Sequence, residues 1–571
     1  MKLRTSFFNK TVLLKDVTRF APVWIVYAVI MGMSTLSNAA MALFQEGAVA
    51  YSMGSNIGMM SITNMLYAIT CAIFLFGDLF NSRVCNALHA LPLRREGWFA
   101  THVLAGLLFS LIPNAAVAVI NLLFLWPDLF ISPLWLLGVE VQFLFFFALA
   151  AVCIMLTGSR FAASAVYLLM NFLSMIGYWF VTTYYEPLLP GLHIRDNLFS
   201  LFCPAVWLCD HELITFKEVE HYTQSIYGEE LYFTYKFESF TSAWWYIAVL
   251  AALGLALLAL SLWLYRKRKL ESAGDFLSFP KTAPVFLVVF TLTIGAMFQT
   301  IFGLMGGSVI SMLVGLAVGC YAGQMLLRRT VKVFDKRSLI WCGSIVGVLA
   351  LTLGITALDP AGLTSWTPQP DQVKAVVLSS DYDYSPKDEE LYGYSNSVTI
   401  TDPGYIQELI HIHGLMIEDE AAGMMDTAFL WSSEVSSVHL TYQLKNGSQV
   451  ERRYYYLVAS EAGRRMEEFY SAPEFVLGYS DWNDYLDSID YIELDNCNGG
   501  FLELTNAQSL ALMEAVKADC EAGTFPSDKE TEYVWITIYD NEGNYNNSFP
   551  VSLGCGNACD WLTQNVPELF E

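Results

Sequence analysis

Polar side chains that interrupt long apolar runs are the residues of this sequence best placed for chemistry. Glu140 lies within an apolar run at 133–156, and Asp78 lies near the end of another at 59–80. A charge inside a bilayer is costly unless it faces protein or water, so Glu140 is a candidate to line a polar translocation path. Asp78 is expected to cap a helix or to pair with Arg83. The runs also hold asparagines that we expect to hydrogen-bond between helices: Asn64, Asn114 and Asn171.

Motifs of soluble catalysis are missing from the sequence. It contains neither GxxxxGK[ST] nor HExxH, GxSxG or paired CxxC, so we expect no enzymatic activity and no metal or cofactor held by this chain. His411 and His413 are two apart on a predicted helix, which points them to different faces and predicts partial burial rather than a shared metal. Residues 381–385 resemble the start of a calcium loop, but Pro386 stands where such a loop needs glycine. A solvated acidic turn is the expected alternative.

Eleven cysteines offer two local disulfide candidates. Cys203 with Cys209 and Cys555 with Cys559 lie on segments expected outside the membrane, where disulfides form. Free thiols are an equally good expectation if the organism is anaerobic. The spacing of Cys555 and Cys559 alone is weak grounds for a zinc site.

The elements that would position these residues are long apolar segments. A helix of about 20 residues crosses the roughly 30 Å hydrocarbon core of a bilayer. The sequence predicts nine such helices, at residues 20–44, 59–80, 103–125, 133–156, 161–181, 244–265, 284–304, 308–327 and 339–358. The predicted fold class is therefore a polytopic (multi-pass) α-helical membrane protein. A six-span core at 20–270 would be followed by three additional transmembrane helices at 271–359.

Basic residues orient these spans. The loop at 81–102 carries Arg83, Arg94 and Arg95, and short loops that hold Lys and Arg are retained in the cytoplasm. With this loop inside, 19 of the 22 basic residues that precede Asp359 fall on cytoplasmic segments. The N-terminus is then predicted to be cytoplasmic and the C-terminal domain extracellular.

Two segments outside the spans have alternative interpretations. Residues 1–19 mix apolar and basic side chains, which suits either a helix in the cytoplasmic membrane interface or a plain positive flank of the first span. They lack the apolar core of a cleavable signal peptide, so the first span is expected to be an uncleaved anchor. The outer loop at 186–243 has an apolar middle at 197–208. It predicts one or two short helices that dip into the membrane surface, or a buried patch of an ordered loop.

Residues 360–571 are predicted to form an acidic extracellular α+β domain. From Asp359 onward the chain holds 37 acidic and 9 basic residues, against 18 and 22 before it. The pattern predicts two repeats, each a strand, a short strand, a capped helix, a hairpin and a closing helix. Thr401 or Asp402 would cap the first of these helices, and Thr505 the second. Because an acidic domain repels phosphate, no nucleic acid is expected as a partner.

The order of these elements resembles the permease subunits of ABC-2 type transporters. A basic N-terminal segment, two spans, a cytoplasmic loop, three spans, an outer loop with an apolar middle and a sixth span cover residues 1–270. The most specific match is LHALPLRRE at 88–96, which is similar to a Leu-Pro-x-x-Arg segment after span two in such permeases from Gram-positive bacteria. The further spans and the outer domain are similar to larger permeases of that bacterial group.

The resemblance implies a transport function in a bacterial plasma membrane. The chain would be the permease subunit of an exporter, coupled to a separate cytoplasmic ABC ATPase that uses ATP and Mg, and paired with a second permease copy or a related permease. The implied ATPase contacts are His89, Leu91, Pro92, Arg94 and Arg95. A plain positive-inside loop is the alternative for this segment. The rival function is a membrane sensor whose outer acidic domain binds a ligand.

Overall fold

The architecture was analysed in a computed structural model of the 571-residue chain. The structure describes residues 10–41, 47–89, 94–125, 128–194, 197–225, 228–268, 273–303, 309–379, 398–421, 435–470, 489–495, 501–521, 533–540, 545–552 and 556–567. These residues group into two compact units. The first unit comprises Met1–Thr183 and Arg195–Ala350, and the second comprises Tyr184–Ile194 and Leu351–Glu571.

Long apolar helices make up most of the first unit, and the chain is a membrane-embedded, helix-rich protein. Seven helices of the described ranges are long and apolar enough to cross a bilayer. They are α3 (Ala48–Leu75), α5 (Arg95–Asn121), α6 (Ile131–Leu156), α11 (Trp244–Lys267), α12 (Ala283–Gly303), α13 (Val309–Arg328) and α14 (Lys336–Ala357). Each corresponds to a predicted span, although α3 begins 11 residues and α5 begins eight residues before the predicted starts.

Two of the nine predicted spans differ from an unbroken spanning helix. The first is α2 (Ala21–Met41), whose apolar part, Ala21–Met33, is shorter than a span. The fifth is broken into α7 (Arg160–Asn171) and α8 (Leu173–Tyr184), which are bent by 60° and count as one span only when taken together. At the break the Asn171 amide donates to the carbonyl of Tyr167 on its own helix, a side-chain bond that favours bending.

Helix α6 is the centre of the first unit. It packs against α3, α5, α7 and α11, and it buries the aromatic rings of Phe143, Phe146 and Phe147 completely. Gly106 of α5 lies so close to the ring of Phe147 that a Cβ there would be 2.4 Å from a ring carbon. The absence of a side chain at Gly106 therefore lets α5 approach α6 closely.

Shorter elements complete the first unit. Helix α1 (Lys10–Arg19) precedes α2, and α4 (Ser82–His89) lies in the predicted cytoplasmic loop. The apolar middle of the outer loop forms two short helices, α9 (Asn197–Leu201) and α10 (Pro204–Asp210), which confirms that part of the prediction. They are followed by an antiparallel hairpin of β1 (Ile214–Ser225) and β2 (Gly228–Phe240), which the sequence analysis missed.

The C-terminal part is an α+β domain with two four-stranded antiparallel sheets of identical order. In the first sheet β4 (Val398–Ile400), β3 (Val373–Ser379), β5 (Val435–Leu444) and β6 (Gln449–Leu457) lie side by side, with α15 (Pro403–Ala421) and α16 (Glu461–Tyr470) in the connections. The second copy has β8 (Phe501–Leu504), β7 (Ile489–Asp495), β9 (Tyr533–Asp540) and β10 (Tyr545–Ser552), with α17 (Asn506–Glu521) and α18 (Gly556–Asn565). The predicted repeat is present.

Local sequence determines the starts of both repeat helices. Asp402 Oδ1 accepts the backbone N–H groups of Gly404 and Tyr405 at 2.7 and 3.1 Å, so Asp402 rather than Thr401 caps α15. In the second copy the Thr505 N–H donates to Gln508 Oε1 at 3.1 Å, as a capping box requires. Each helix then buries an apolar face in the core of its own sheet.

Candidate functional site

A carboxylate that accepts hydrogen bonds from two neutral donors lies at the contact of two long helices of the first unit. Glu140 of α6 accepts hydrogen bonds from Ser110 Oγ at 2.9 Å and from Asn114 Nδ2 at 2.8 Å, both on α5. Tyr27 of α2 donates its hydroxyl to Asn114 Oδ1 at 3.0 Å. We call Tyr27, Ser110, Asn114 and Glu140 the Glu140 cluster. It lies in long helices of mostly apolar composition.

The spacing on α5 explains how two donors reach one oxygen. Ser110 and Asn114 are four residues apart and therefore share one face of the helix. Their side chains also contact each other, with Asn114 Nδ2 3.1 Å from Ser110 Oγ. Both donate to Oε1 of Glu140, and among the described residues no donor reaches Oε2. One carboxylate oxygen is thus fixed and the other is open.

Aromatic rings border the cluster. The rings of Tyr27 and Tyr67 are stacked, with centroids 3.9 Å apart and planes within 6°. Tyr67 donates its hydroxyl to the carbonyl of Phe109 at 2.9 Å, and its ring lies 5.5 Å from that of Phe143. These contacts tie α2, α3, α5 and α6 together beside Glu140.

A second polar contact joins α3 to α6. Asn64 Nδ2 lies 3.2 Å from Gln142 Oε1 and from the carbonyl of Val139, and Gln142 donates to the carbonyl of Ile57 at 2.7 Å. The prediction of hydrogen bonds between helices is therefore confirmed for Asn64 and Asn114. It is wrong for Asn171, whose amide bonds within its own helix.

The predicted ATPase contacts fall partly on described residues. His89 is the last residue of α4, and nothing is described of its side chain; Leu91 and Pro92 lie outside the described residues. Arg94 is exposed directly before α5, and Arg95, half-buried, is the first residue of that helix. The basic segment and the Glu140 cluster are therefore joined by one helix.

Polar side chains join α1 to neighbouring elements near the start of α5. Asp16 of α1 is buried, with Oδ2 3.6 Å from Nδ1 of His102 on α5. Burial raises the pKa of the Asp16 carboxyl to about 6. Arg19 of α1 lies 4.0 Å from Asp78, so the pairing of Asp78 is with Arg19 and not with the predicted Arg83. Helix α1 is thereby anchored to α5, beside the basic loop.

A further pair links the first turn of α5 to the end of α11. Glu96 Oε1 lies 3.2 Å from Nε of Arg266. The next arginine, Arg268, is buried and donates to the carbonyls of Ile154 and Leu79. Its burial lowers the pKa of the guanidinium to about 10, which leaves it charged at neutral pH.

The predicted disulfide between Cys203 and Cys209 does not form, and both thiols are free. Cys203 precedes α10 and is buried, whereas Cys209, in the last turn of that helix, places Sγ 3.4 Å from Ser61 Oγ. Six helical positions put the two side chains on different faces. Cys559 is also free, and Cys555 lies outside the described residues.

A buried histidine in the second unit has a structural environment. His413 Nδ1 lies 2.9 Å from the Tyr442 hydroxyl, and Nε2 lies 2.9 Å from the Tyr454 hydroxyl. His411 is exposed, so the two histidines do separate to different faces, but His413 is fully rather than partly buried. In the described ranges no three His, Cys, Asp or Glu side chains come together as metal ligands would.

Comparison with known proteins yields no relative. No protein-family model, curated protein or solved structure matches the chain.

Proposed function

We propose that the chain is the membrane-spanning permease subunit of an ATP-driven exporter of the ABC-2 type. In this proposal it lies in a bacterial plasma membrane, with the N-terminus and the 81–102 loop in the cytoplasm and the C-terminal domain outside. The observation that carries the proposal is that one helix, α5, extends from the basic loop to the Glu140 cluster. This helix begins at the basic loop and carries two of the donors that bind Glu140.

Helix α5 can transmit a displacement because its stretch from Arg95 to Ser110 contains no proline; Pro113, which removes one backbone hydrogen bond, comes after it. Arg95 and Ser110 are separated by 15 residues, which is about 22 Å along a helix. A partner that moves Arg94 and Arg95 would also move Ser110 and Asn114 relative to Glu140 on α6. Nucleotide-driven closure of an ATPase dimer on the loop would in this way change the polar contact inside the bundle.

The proposed partner supplies the energy. A separate cytoplasmic ABC ATPase would bind ATP and Mg and would dock on His89, Leu91, Pro92, Arg94 and Arg95. A second permease copy, or a related permease, would complete the path. This chain would itself neither hydrolyse nucleotide nor bind a cofactor.

The test is co-purification of the protein expressed with its neighbouring genes, in mild detergent. We expect a P-loop ATPase to be retained, and we expect the double substitution Arg94→Ala with Arg95→Ala to release or uncouple it. The matched control is Lys336→Ala with Arg337→Ala, two exposed basic residues at the start of another long helix. Loss of the ATPase from both double variants, or retention by both, would argue against a specific contact at Arg94 and Arg95.

A sensor function is the second candidate, and one contact favours it. The segment Tyr184–Ile194, which begins at the last residue of α8, belongs to the second unit. There the Gly191 carbonyl accepts the N–H of Arg453 on β6 at 3.0 Å, and Leu192 forms a bridge with Arg452. A ligand on the C-terminal domain could thus act on α8. If wild-type protein is stable and never retains an ATPase, ligand screening on the full chain becomes the first experiment.

A further inference from the structure

The two side-chain oxygens of Glu140 differ in their hydrogen bonding. Oε1 already accepts two hydrogen bonds, from Ser110 and Asn114, whereas Oε2 has no donor among the described residues. Glu140 is half-buried, and Leu137, one turn earlier on α6, is 53% exposed. The carboxylate is therefore partly exposed, with Oε1 held by two donors and Oε2 without a donor among the described residues.

A carboxylate at this depth needs a compensating cation or a proton. Glu140 is nine residues, or about 14 Å, from the start of α6, well inside a spanning helix. Its partners are a hydroxyl and an amide, which are neutral, and within the described ranges no Lys or Arg forms an ion pair with it. Residues 42–46, which follow α2, contain no basic residue either. A carboxylate in hydrocarbon is costly unless an opposite charge or a proton compensates it.

The surroundings suit a cation with an apolar body. Tyr27 lies in the cluster and stacks on Tyr67, which in turn contacts Phe143. The two tyrosine rings are buried and stacked on each other, so they form an apolar wall behind the carboxylate, and the apolar surface that remains exposed near it is that of Leu111 and Leu137. The amide of Asn114, which Tyr27 orients through Oδ1, keeps the carboxylate in place.

We propose that Glu140 binds the positively charged group of an amphipathic cation, an ammonium or phosphonium on an aromatic or alkyl body, as the substrate of transport. This inference rests on the permease function proposed above and adds the class of substrate. Glu140 forms the ion pair through Oε2, and Ser110 and Asn114 position it.

The test uses binding, so that it does not depend on any ATPase. Full-length protein in phosphatidylcholine nanodiscs is dialysed against radiolabelled tetraphenylphosphonium, and uptake by empty nanodiscs is subtracted. The variant is Glu140→Gln, which keeps the size and the Oε1 acceptor but removes the charge. The control is Glu238→Gln, which removes an exposed carboxylate on β2. Triphenylphosphine oxide, an uncharged molecule of similar size, serves as the competitor, and the thermal unfolding midpoint checks that each variant is folded.

We expect saturable binding to wild type and Glu238→Gln, at least tenfold weaker binding to Glu140→Gln, and at most weak competition by triphenylphosphine oxide. Equal affinity of wild type and Glu140→Gln, or no saturable binding to wild type, would overturn the inference. Retention of an ATPase is scored separately, so the permease function can stand if this inference fails.

Discussion

The side-chain amide of Asn114 donates to Oε1 of Glu140 across 2.8 Å and joins α5 to α6 inside an apolar bundle. The two residues are 26 positions apart in the chain. Asn114 is fully buried, and its own Oδ1 accepts from Tyr27. The Asn114 side chain therefore hydrogen-bonds to both Tyr27 and Glu140. Its removal leaves these two polar groups without this partner in apolar surroundings.

We expect Asn114→Leu to destabilise the protein by about 1–3 kcal/mol, the usual cost of leaving a buried hydrogen-bonding group without its partner. Thermal unfolding in detergent, followed by intrinsic fluorescence, measures the loss. The matched control is Asn171→Leu, which removes a second buried asparagine whose amide bonds only to a carbonyl of its own helix. That variant should lose less. Equal losses would show that the bond to Glu140 contributes no special stability.

Gly191→Ala should weaken the contact between the segment Tyr184–Ile194 and β6. Gly191 has φ +74°, a conformation that L side chains rarely adopt, and a Cβ there would lie 2.1 Å from the Tyr454 hydroxyl oxygen. We expect a cost of about 1–3 kcal/mol. Hydrogen exchange of the Arg453 amide, which donates to the Gly191 carbonyl, should become faster.

Gly414→Ala provides the control for that substitution. Gly414 lies in α15 of the same unit, and a Cβ there meets nothing within 4 Å. An alanine in a helix interior should be neutral or stabilise by about 0.5–1 kcal/mol. If Gly191→Ala behaves in the same way and leaves Arg453 exchange unchanged, the described conformation of the segment is wrong.

Acid should destabilise the first repeat through His413. Burial, and then the charge of Arg452, lower the pKa of this imidazole from 6.5 to about 3. Above pH 6.5 the histidine is neutral in both folded and unfolded chains and has no effect on stability. As the pH falls from 6.5 toward 3, the unfolded chain gains a proton that the folded chain does not, so stability falls by up to about 1.4 kcal/mol per pH unit.

Hydrogen exchange of β5 and β6 peptides in the full-length protein, between pH 7.5 and 5, measures this dependence after correction for the intrinsic exchange rate. Replacement of His413 by Gln should reduce the slope. Replacement of His411, which is exposed on the same helix, should leave it unchanged. An identical slope in the His413→Gln variant would assign the acid sensitivity to other groups.

Asp16→Asn should stabilise the protein at neutral pH. The folded state raises the pKa of this carboxyl from 3.8 to about 6, so the charged form is the disfavoured one. Destabilisation by the charged carboxylate reaches its full size above about pH 6. It disappears below about pH 4, where the carboxyl is protonated in both the folded and the unfolded chain. We expect the variant to be more stable at pH 7.5 by about 1–3 kcal/mol.

The difference between Asp16→Asn and wild type should shrink as the pH is lowered from 7.5 to 4.5, which unfolding midpoints in detergent can follow. Asp335→Asn gives the opposite expectation. Hydrogen bonds from Ser338, and then from Arg328, hold the pKa of the Asp335 carboxyl below its usual range. Its loss should therefore not stabilise the protein. A pH-independent gain in Asp16→Asn would point to packing rather than charge.

Seven of the predicted spans could be identified from hydropathy because crossing a bilayer requires a long, local and contiguous apolar run, which is a property of sequence alone. The caps at Asp402 and Thr505 and the internal repeat were equally predictable, since a cap acts over three residues and a repeat recurs in the same chain. The hairpin of β1 and β2 was missed because its strands, unlike core strands, alternate weakly between apolar and polar residues. The break at Phe172 was missed because an apolar run does not encode its own bend.

Glu140 was identified from the sequence as an isolated carboxylate in an apolar run. Its partners were not, because Ser110 and Asn114 reach it only after α5 and α6 pack together, and Gly106 permits that approach. The pairing of Asp78 with Arg19, the free thiols of Cys203 and Cys209 and the burial of His413 likewise depend on elements distant in the chain. Hydropathy, charge and helix caps depend on residues that are neighbours in the sequence, so they can be predicted from the sequence alone. Which polar group pairs with which depends on packing. A buried polar group needs a hydrogen-bonding partner, and only the folded chain brings that partner within reach.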